Sequence, residues 1–428
     1  MKNANACLPP DSLTGAIMAM EGIRDAAVLL NGPTGCKFYH GAVVEGQLPR
    51  ESSFDPLQFL EEFYFGQPRV PATYLDGDDY VFGASAKLER ILPTVAAKGH
   101  ALIAVVNSPG AALIGDDLNR FIQAANLDIP CVALESTGYS GTMEEGFQEA
   151  VIQTLRTLKP QPTAEKPCTV NLLGISIFQK HWEGNIAELT RLLALCGVNV
   201  GAVVCAGSSF EEIMEMGNSQ CNVMVHEELG GRIAEWCESR LGLPAMRPVN
   251  GAPIGFDQTE EWVRGVCRAV GASPRPAVEA IDQARVRGVT YIQRLNSLTG
   301  LPKGATFAVR APASIALPLT QWLHDYLGMA PAAVDLTDAD SLLIPEMKEI
   351  LTRANALDAL GVTDFSGVDM IFADGAALAQ ISNPDGMMTG VEIALPTMGY
   401  IDVVHKCLLG AQGSLHLIEW IVNALRDC

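Results

Sequence analysis

Short runs of apolar, often β-branched residues recur along the chain, each closing on a glycine or a polar residue. One ends at Asn31, and others are ALIAVVNSPG (101–110), CTVNLLGI (168–175), NVGAVVCAG (199–207), CNVMVHEE (221–228), ATFAVRAPA (305–313) and VDMIFADG (368–375). Unbroken rather than alternating apolar runs read as strands covered on both faces, as in parallel sheets. Between them, NIAELTRLLALCG (185–197) and GGRIAEWCESRLG (230–242) carry apolar residues at helical spacing and stop at glycine. Strand and helix alternate almost throughout, so the expected class is α/β with repeated doubly wound, Rossmann-like parallel sheets. Two breaks interrupt the alternation: TLKPQPTAEKPC (157–168), with its three prolines, and GASPRPAVE (271–279), which precedes a long helical stretch. They predict three domains, 1–165, 166–275 and 276–428.

Composition narrows the function classes. At 428 residues the chain exceeds one compact core, and 48% hydrophobic against 18% charged residues leaves no sign of disorder. A net charge of −20 argues against nucleic acid as partner, because phosphates would repel it. No basic, apolar leader opens the sequence and no apolar run reaches the ~18 residues of a spanning helix. A cytoplasmic protein away from membranes is therefore expected, with its 11 cysteines reduced. Neither GxGxxG after a strand nor a phosphate-binding GxxxxGK loop occurs, so the chain is not expected to bind ATP by itself.

Most of the thiols have ordinary explanations. Cys196, Cys237 and Cys267 fall in helical patterns and Cys205 and Cys221 in or beside strands, where free cysteine packs as a small apolar residue. Cys7 and Cys36 differ, since NACLPPDSLTG and NGPTGC are loops with no packing need for a thiol. Backbone amides beside a helix start would favour a thiolate there. No CxxC is present, and two loop cysteines cannot complete a four-thiolate site in one chain. A twofold axis turns two ligands into four.

The segment CLPPDSLTGAIMAMEGIRDAAVLLNGPTGC, with its cysteines 29 residues apart, resembles the opening of nitrogenase component 1 proteins. DDYVFGASAKLERIL (78–92), LIGDDLNRFI (113–122), ALESTGYSGTMEEGF (133–147), the stretch from Cys221 to Arg264 and the closing PTMGYIDVVHKCLLGAQGSLHLIEWIVNAL resemble further motifs of that family, in the family's order. The resemblance implies three α/β domains around a central cleft. It also implies a dimer, of identical or homologous subunits, with an iron–sulfur cluster at the interface. A separate ATP-dependent iron–sulfur reductase would supply electrons, consistent with the missing phosphate loop.

Departures from the family pattern limit what carries over. Where nitrogenase subunits place a third cysteine, this chain has Ser108 or Pro109. Two matched cysteines per chain suit one 4Fe–4S cluster shared by two protomers better than an eight-iron P-cluster. Cys7 and Cys36 are the expected metal ligands, and Gly35 belongs to the same turn. Ser108 is a candidate oxygen donor or a turn-capping serine, and Cys131 a reserve ligand should the alignment slip. The iron–molybdenum cofactor is not expected, because His226 stands where the family has its cofactor cysteine and Met398 where it has a histidine. His226 is the candidate catalytic residue, a metal ligand or proton donor at a strand end; a simply hydrogen-bonded histidine is the alternative. Glu227 and Glu228 follow it and could aid proton delivery or be plain solvated charges. Asp116 and Asp117 read as helix caps, and Lys180, His181 and Trp182 as contacts near the cleft. Two other functions remain open at this level: a scaffold that carries a cluster precursor, and a cluster-free structural partner in a heterodimer.

Overall fold

The computed structural model describes residues 10–36, 70–135, 141–161, 164, 166–338, 340–381, 389–397 and 402–426. Among these, eleven strands form three sheets, and every strand pair is parallel. In the first, β1 (Ala26–Asn31), β2 (Leu102–Asn107) and β3 (Cys131–Leu134) follow one another in order. The second has the order β5-β4-β6-β7, from β4 (Lys166–Leu173), β5 (Asn199–Val203), β6 (Ser219–Met224) and β7 (Ala245–Met246). The third runs β11-β10-β8-β9, from β8 (Thr306–Ala311), β9 (Ala330–Leu336), β10 (Met370–Asp374) and β11 (Thr389–Ala394). The unbroken apolar runs explain the arrangement: all of AAVLLN and LIAVVN is buried, as strands covered by helices on both faces require.

The opening helix, Ser12–Glu21, is buried on every side, which its mostly apolar sequence allows. Asp11 caps it by accepting from the Thr14 amide at 3.0 Å. Its backbone lies directly on the helix Met143–Leu158. A Cβ added to Gly15 would stand 1.8 Å from the Met143 carbonyl oxygen, and one on Gly146 would stand 2.0 Å from that of Ser12. Two glycines thus fix how closely the start of the chain lies on the first sheet's last helix.

The end of the chain returns to the middle sheet. The helix Gly410–Arg426 packs on the helices Trp182–Leu195 and Arg275–Thr299. Asn185 Oδ1 accepts from the amides of Leu408 and Leu409 at 2.7 and 3.1 Å, and Glu188 Oε1 from that of Gln412 at 3.0 Å. Nothing in the hydrophobic pattern announces this return, because the pairing is made by two polar side chains over a distance of more than two hundred residues. Among the described residues no helix is long and apolar enough to cross a membrane; PASIALPLTQWL is part of the buried helix Ala313–Asp325.

Candidate functional site

Two of the places singled out in the sequence, around Cys36 and around His226, lie just past the C-terminal end of a strand. At the first, β1 ends in Asn31 directly opposite Asn107 of β2. Asn31 Nδ2 donates to Asn107 Oδ1 at 2.9 Å, while Thr73 Oγ1 donates to Asn31 Oδ1 at 2.8 Å and accepts from the Gly32 amide at 3.0 Å. This buried network pins the turn that carries Cys36. The sequence reading missed it, although two strands that both end in asparagine were a visible signal.

Ser108 follows Asn107 and is fully buried. Its hydroxyl accepts from the Ala111 amide at 3.2 Å, capping the short helix Pro109–Ile114, and also bonds the Cys36 thiol. The capping reading of Ser108 is the one this geometry carries. Gly32 is the spacer: a Cβ there would lie 2.8 Å from Ser108 Cβ and Oγ. Cys36 itself sits in a helical turn, partly exposed, and beside it an added Cβ on the exposed Gly35 would have nothing within 4 Å. The expected thiolate is not favoured here. Burial pushes the thiol up, the Asp11 charge pushes it further, and the Ser108 hydrogen bond only partly offsets them. Binding a metal at Cys36 thus has to displace a proton.

Cys131, the reserve ligand, is corrected by the register. It pairs with Ile103 at the N-terminal end of β2, whereas Ser108 and Cys36 lie past the C-terminal ends of the same sheet. Its thiol faces the Ile129 carbonyl at 3.6 Å, and burial pushes it up to about 11. Cys7 lies outside the described residues. Among the described residues no three His, Cys, Asp or Glu side chains could together hold a metal. One chain's described donors therefore amount to a single accessible thiol at this turn. Exposed apolar side chains lie on neighbouring segments. Tyr74, Val81, Phe82 and Leu113 are 46%, 74%, 84% and 89% exposed, on segments tied to Gly32 and Ser108 through the Leu75 amide and the Pro109–Ile114 helix.

The second place is central. His226 ends the β6 segment and is the N-cap residue of the helix Glu227–Leu241. Its carbonyl presses on Gly174 at the end of β4, whose φ of +84° and missing Cβ permit the approach; a Cβ there would be 2.2 Å from that oxygen. His226 is 3% exposed and lines a small cavity of about 20 Å³ with Gln179, Lys180, Asn185, Ile254 and Ile393 among others. Such a volume holds about one water. Nδ1 of His226 lies 3.3 Å from Ser314 Oγ and 3.9 Å from Glu228 Oε1. Burial holds His226 down to about 4, so the ring is neutral near pH 7, and lifts Glu228 up to about 8. Glu228 is thus not a solvated charge. Ser314, which completes the group, was not foreseen, although it opens a helix straight after a strand (ATFAVRAPAS) and such junctions are where sites form.

Beside the cavity, Lys180 Nζ stands 3.6 Å from Glu392 Oε2, and His181 Nδ1 2.7 Å from Asp402 Oδ2, with the His181 ring stacked on Trp420. Burial holds His181 below its usual range in spite of the Asp402 carboxylate. The Lys180–His181 pair thus belongs to the junction of the middle and last segments of the chain. Asp116 and Asp117 serve as caps: Asp117 accepts from the Arg120 amide at 3.0 Å, and Asp116 from the Ala84 amide at 2.6 Å. Met398 lies outside the described residues.

Comparison with known proteins agrees with this architecture. The family model for nitrogenase component 1 type oxidoreductases matches residues 12–426. Among curated proteins, one subunit of the light-independent protochlorophyllide reductase of Roseiflexus sp. (strain RS-1) is 28% identical over 254 residues, 58% of this chain and 41% of that protein. The corresponding subunit from Cereibacter sphaeroides is 32% identical over 194 residues, 44% and 35% of the two chains. The matches to these relatives span between 35% and 49% of their length. A solved structure titled nitrogenase Cp1 at pH 6.5 superposes with a TM-score of 0.76 at 17% identity, covering 100% of this chain and 93% of that one. A second, nitrogenase Cp1 at pH 5, gives 0.72 at 19% identity, covering 100% and 89%. The chain belongs to the nitrogenase component 1 type oxidoreductase family.

Proposed function

We propose that the chain is the catalytic component of a nitrogenase-like two-component reductase. It dimerises around an iron–sulfur cluster, takes electrons from an ATP-dependent iron–sulfur reductase, and passes them to a substrate or metallocofactor in the central pocket. The observation that carries this reading is the setting of Cys36: a partly exposed thiol, on a turn pinned by buried hydrogen bonds, with exposed apolar side chains on neighbouring segments. Rigid pinning of a lone ligand is what a site shared between two molecules needs. Exposed apolar side chains of this kind suit association with a second copy or a homologous subunit.

Cys7 and Cys36 of two protomers would hold the cluster, which when bound accepts and releases single electrons. A 4Fe–4S cluster suits the four thiolates. Ser108 supports the Cys36 sulfur by its hydrogen bond, and the exposed Gly35 leaves room at its side. The protochlorophyllide reductase relatives make a conjugated tetrapyrrole one substrate class to test first, which would require the small cavity to open; no iron–molybdenum cofactor is included, given His226 at the cofactor cysteine's position. We place the protein in the cytoplasm and take 157–168 and 271–279 as its domain boundaries.

The test is electron delivery. Anoxically purified protein is mixed with the iron–sulfur reductase of a protochlorophyllide reductase system and dithionite, with and without MgATP, and followed by electron paramagnetic resonance. A reduced-cluster signal from this chain that needs MgATP is expected. A chain that binds a cluster but hands it intact to an acceptor protein, without accepting electrons, would make it a scaffold instead.

A further inference from the structure

Glu228, Ser314 and His226 come from two helices and a strand end that meet only in the folded chain, and together they make a continuous line of exchangeable protons. Ser314 Oγ lies 3.3 Å and Glu228 Oε1 3.9 Å from the same nitrogen, His226 Nδ1, and the Ser314 hydroxyl pulls against the upward push of burial on the Glu228 carboxyl. The glutamate side chain is 9% exposed, and its Oε2 is buried with no hydrogen-bond partner among the described residues. A carboxylate with an orphan buried oxygen is costly, whereas a carboxylic acid is not. His226 forms part of the cavity wall, and with Nδ1 turned to Ser314 its Nε2 edge is left for the cavity.

We propose that these three residues are a proton relay into the central cavity, with Glu228 as the proton store, Ser314 as the carrier and His226 as the donor. In the charged state the Glu228 O–H donates to Ser314 Oγ, the Ser314 O–H donates to His226 Nδ1, and the imidazole proton sits on Nε2. Delivery breaks the Nε2–H bond toward a basic atom in the cavity. Nδ1 takes the Ser314 proton, and Ser314 takes that of Glu228. One proton reaches the acceptor, Glu228 is left as carboxylate, the serine is unchanged and the imidazole has exchanged tautomers; it is reset when water in the cavity gives a proton to Nε2 and solvent takes the one on Nδ1, with no net change in protons. No electron passes through the relay.

Recharging enters from the far side of Glu228. The carboxylates of Asp338 and Glu144, both partly exposed, act on Glu228 through their charge. Asp338 also accepts from the Ala313 amide at 2.7 Å, next to Ser314. The carboxylates of Glu144, Glu228 and Asp338 thus come from three distant stretches of chain and act on one another through their charge. The neutral imidazole and the raised carboxyl suit this use, since a store must hold its proton near neutral pH and the donor must not be cationic at rest.

The inference rests on the proposed reductase only for the proton's destination; its test reads the chain alone, with or without iron. Infrared spectra are recorded across about pH 6 to 9.5 alongside nitrogen NMR of protein carrying labelled histidine. A buried carboxylic-acid band that titrates near 8 is expected, absent in Glu228→Gln and retained in Glu238→Gln. As that band disappears, Ser314 turns to donate to the carboxylate, and His226 is expected to switch from the Nε2–H to the Nδ1–H tautomer. Ser314→Ala should uncouple the two titrations while Ser314→Thr keeps them coupled, and Glu228→Gln should hold His226 in the Nε2–H form throughout. A tautomer indifferent to Glu228, or a band that survives Glu228→Gln, overturns the relay whatever the iron content. Absence of iron with the coupling intact would instead count against the reductase and leave the relay standing.

Discussion

The Cys36 turn and the His226 pocket both lie just past the C-terminal end of a parallel strand, yet they are finished in opposite ways. At His226 the chain closes over its own polar groups: His226 and Ser314 are buried, the Glu228 side chain is 9% exposed, and the adjoining cavity has room for about one water. At Cys36 the supporting network is as well buried, through Asn31, Asn107 and Thr73, but the thiol is left partly exposed. On the proposed reading, buried support under a partly exposed thiol is what a site completed by another molecule needs. Burial of the whole group marks a site that has to hold protons apart from bulk water.

The contrast can be broken most strongly at the exposed apolar side chains on the segments neighbouring the Cys36 turn. Phe82→Glu with Leu113→Glu alters two side chains that are 84% and 89% exposed, so the fold should survive. The dimer should weaken by at least about 100-fold, since buried charges at an interface core are strongly opposed. Sedimentation at micromolar protein reads the outcome, and an unchanged dimer would move the interface elsewhere.

At the closed site the corresponding handle is pH. Glu228 holds its proton up to about 8, well above the ordinary range near 4.3. Through that window the folded chain retains a proton that the unfolded chain has released, so stability falls as pH rises. Glu228→Gln should remove this slope and make the variant more stable than the parent above neutrality, by on the order of a few kcal/mol. Urea midpoints at a series of pH values measure it; parallel curves for the two proteins would contradict the assignment.

Gly15→Ala tests the scaffold that the two sites share. The added methyl would meet the Met143 carbonyl at 1.8 Å, and separating the two helices should cost about 3 kcal/mol, at the upper end for overpacking. Circular dichroism during urea unfolding reads this, and an unshifted midpoint would mean that the helices can part freely. Ser108→Ala is the mildest change. Losing the cap should cost about 1 kcal/mol. Losing the hydrogen bond should push the Cys36 thiol higher still and slow its alkylation in iron-free protein; alkylation at the parent rate would show that the hydroxyl does not act on the sulfur.

The strands and their parallel pairing were legible in the sequence because each depends on local pattern, and AAVLLN and LIAVVN can hardly be anything but doubly covered strands. Cys36 was read as a loop thiol with no packing need, yet it packs against the main core from a helical turn. The polar partners were not legible. Ser314 reaches His226 across 88 residues, Thr73 reaches Asn31 across 42, and Asn185 caps the returning chain from 223 residues away. Such pairs follow from the packing of whole domains and leave no periodic trace. Cys131 was misjudged for the same reason: only the register of β3 on β2 tells which end of the sheet a strand residue occupies.

The central claim, that Cys36 is one edge of a cluster shared by two chains, is tested most directly by counting iron and acid-labile sulfide per dimer in anoxically purified protein, in the parent, in Cys36→Ala and in Cys131→Ala. About four irons per dimer in the parent and in Cys131→Ala, with none in Cys36→Ala, is the expected result. Iron retained in Cys36→Ala, or missing from the parent dimer, would contradict it.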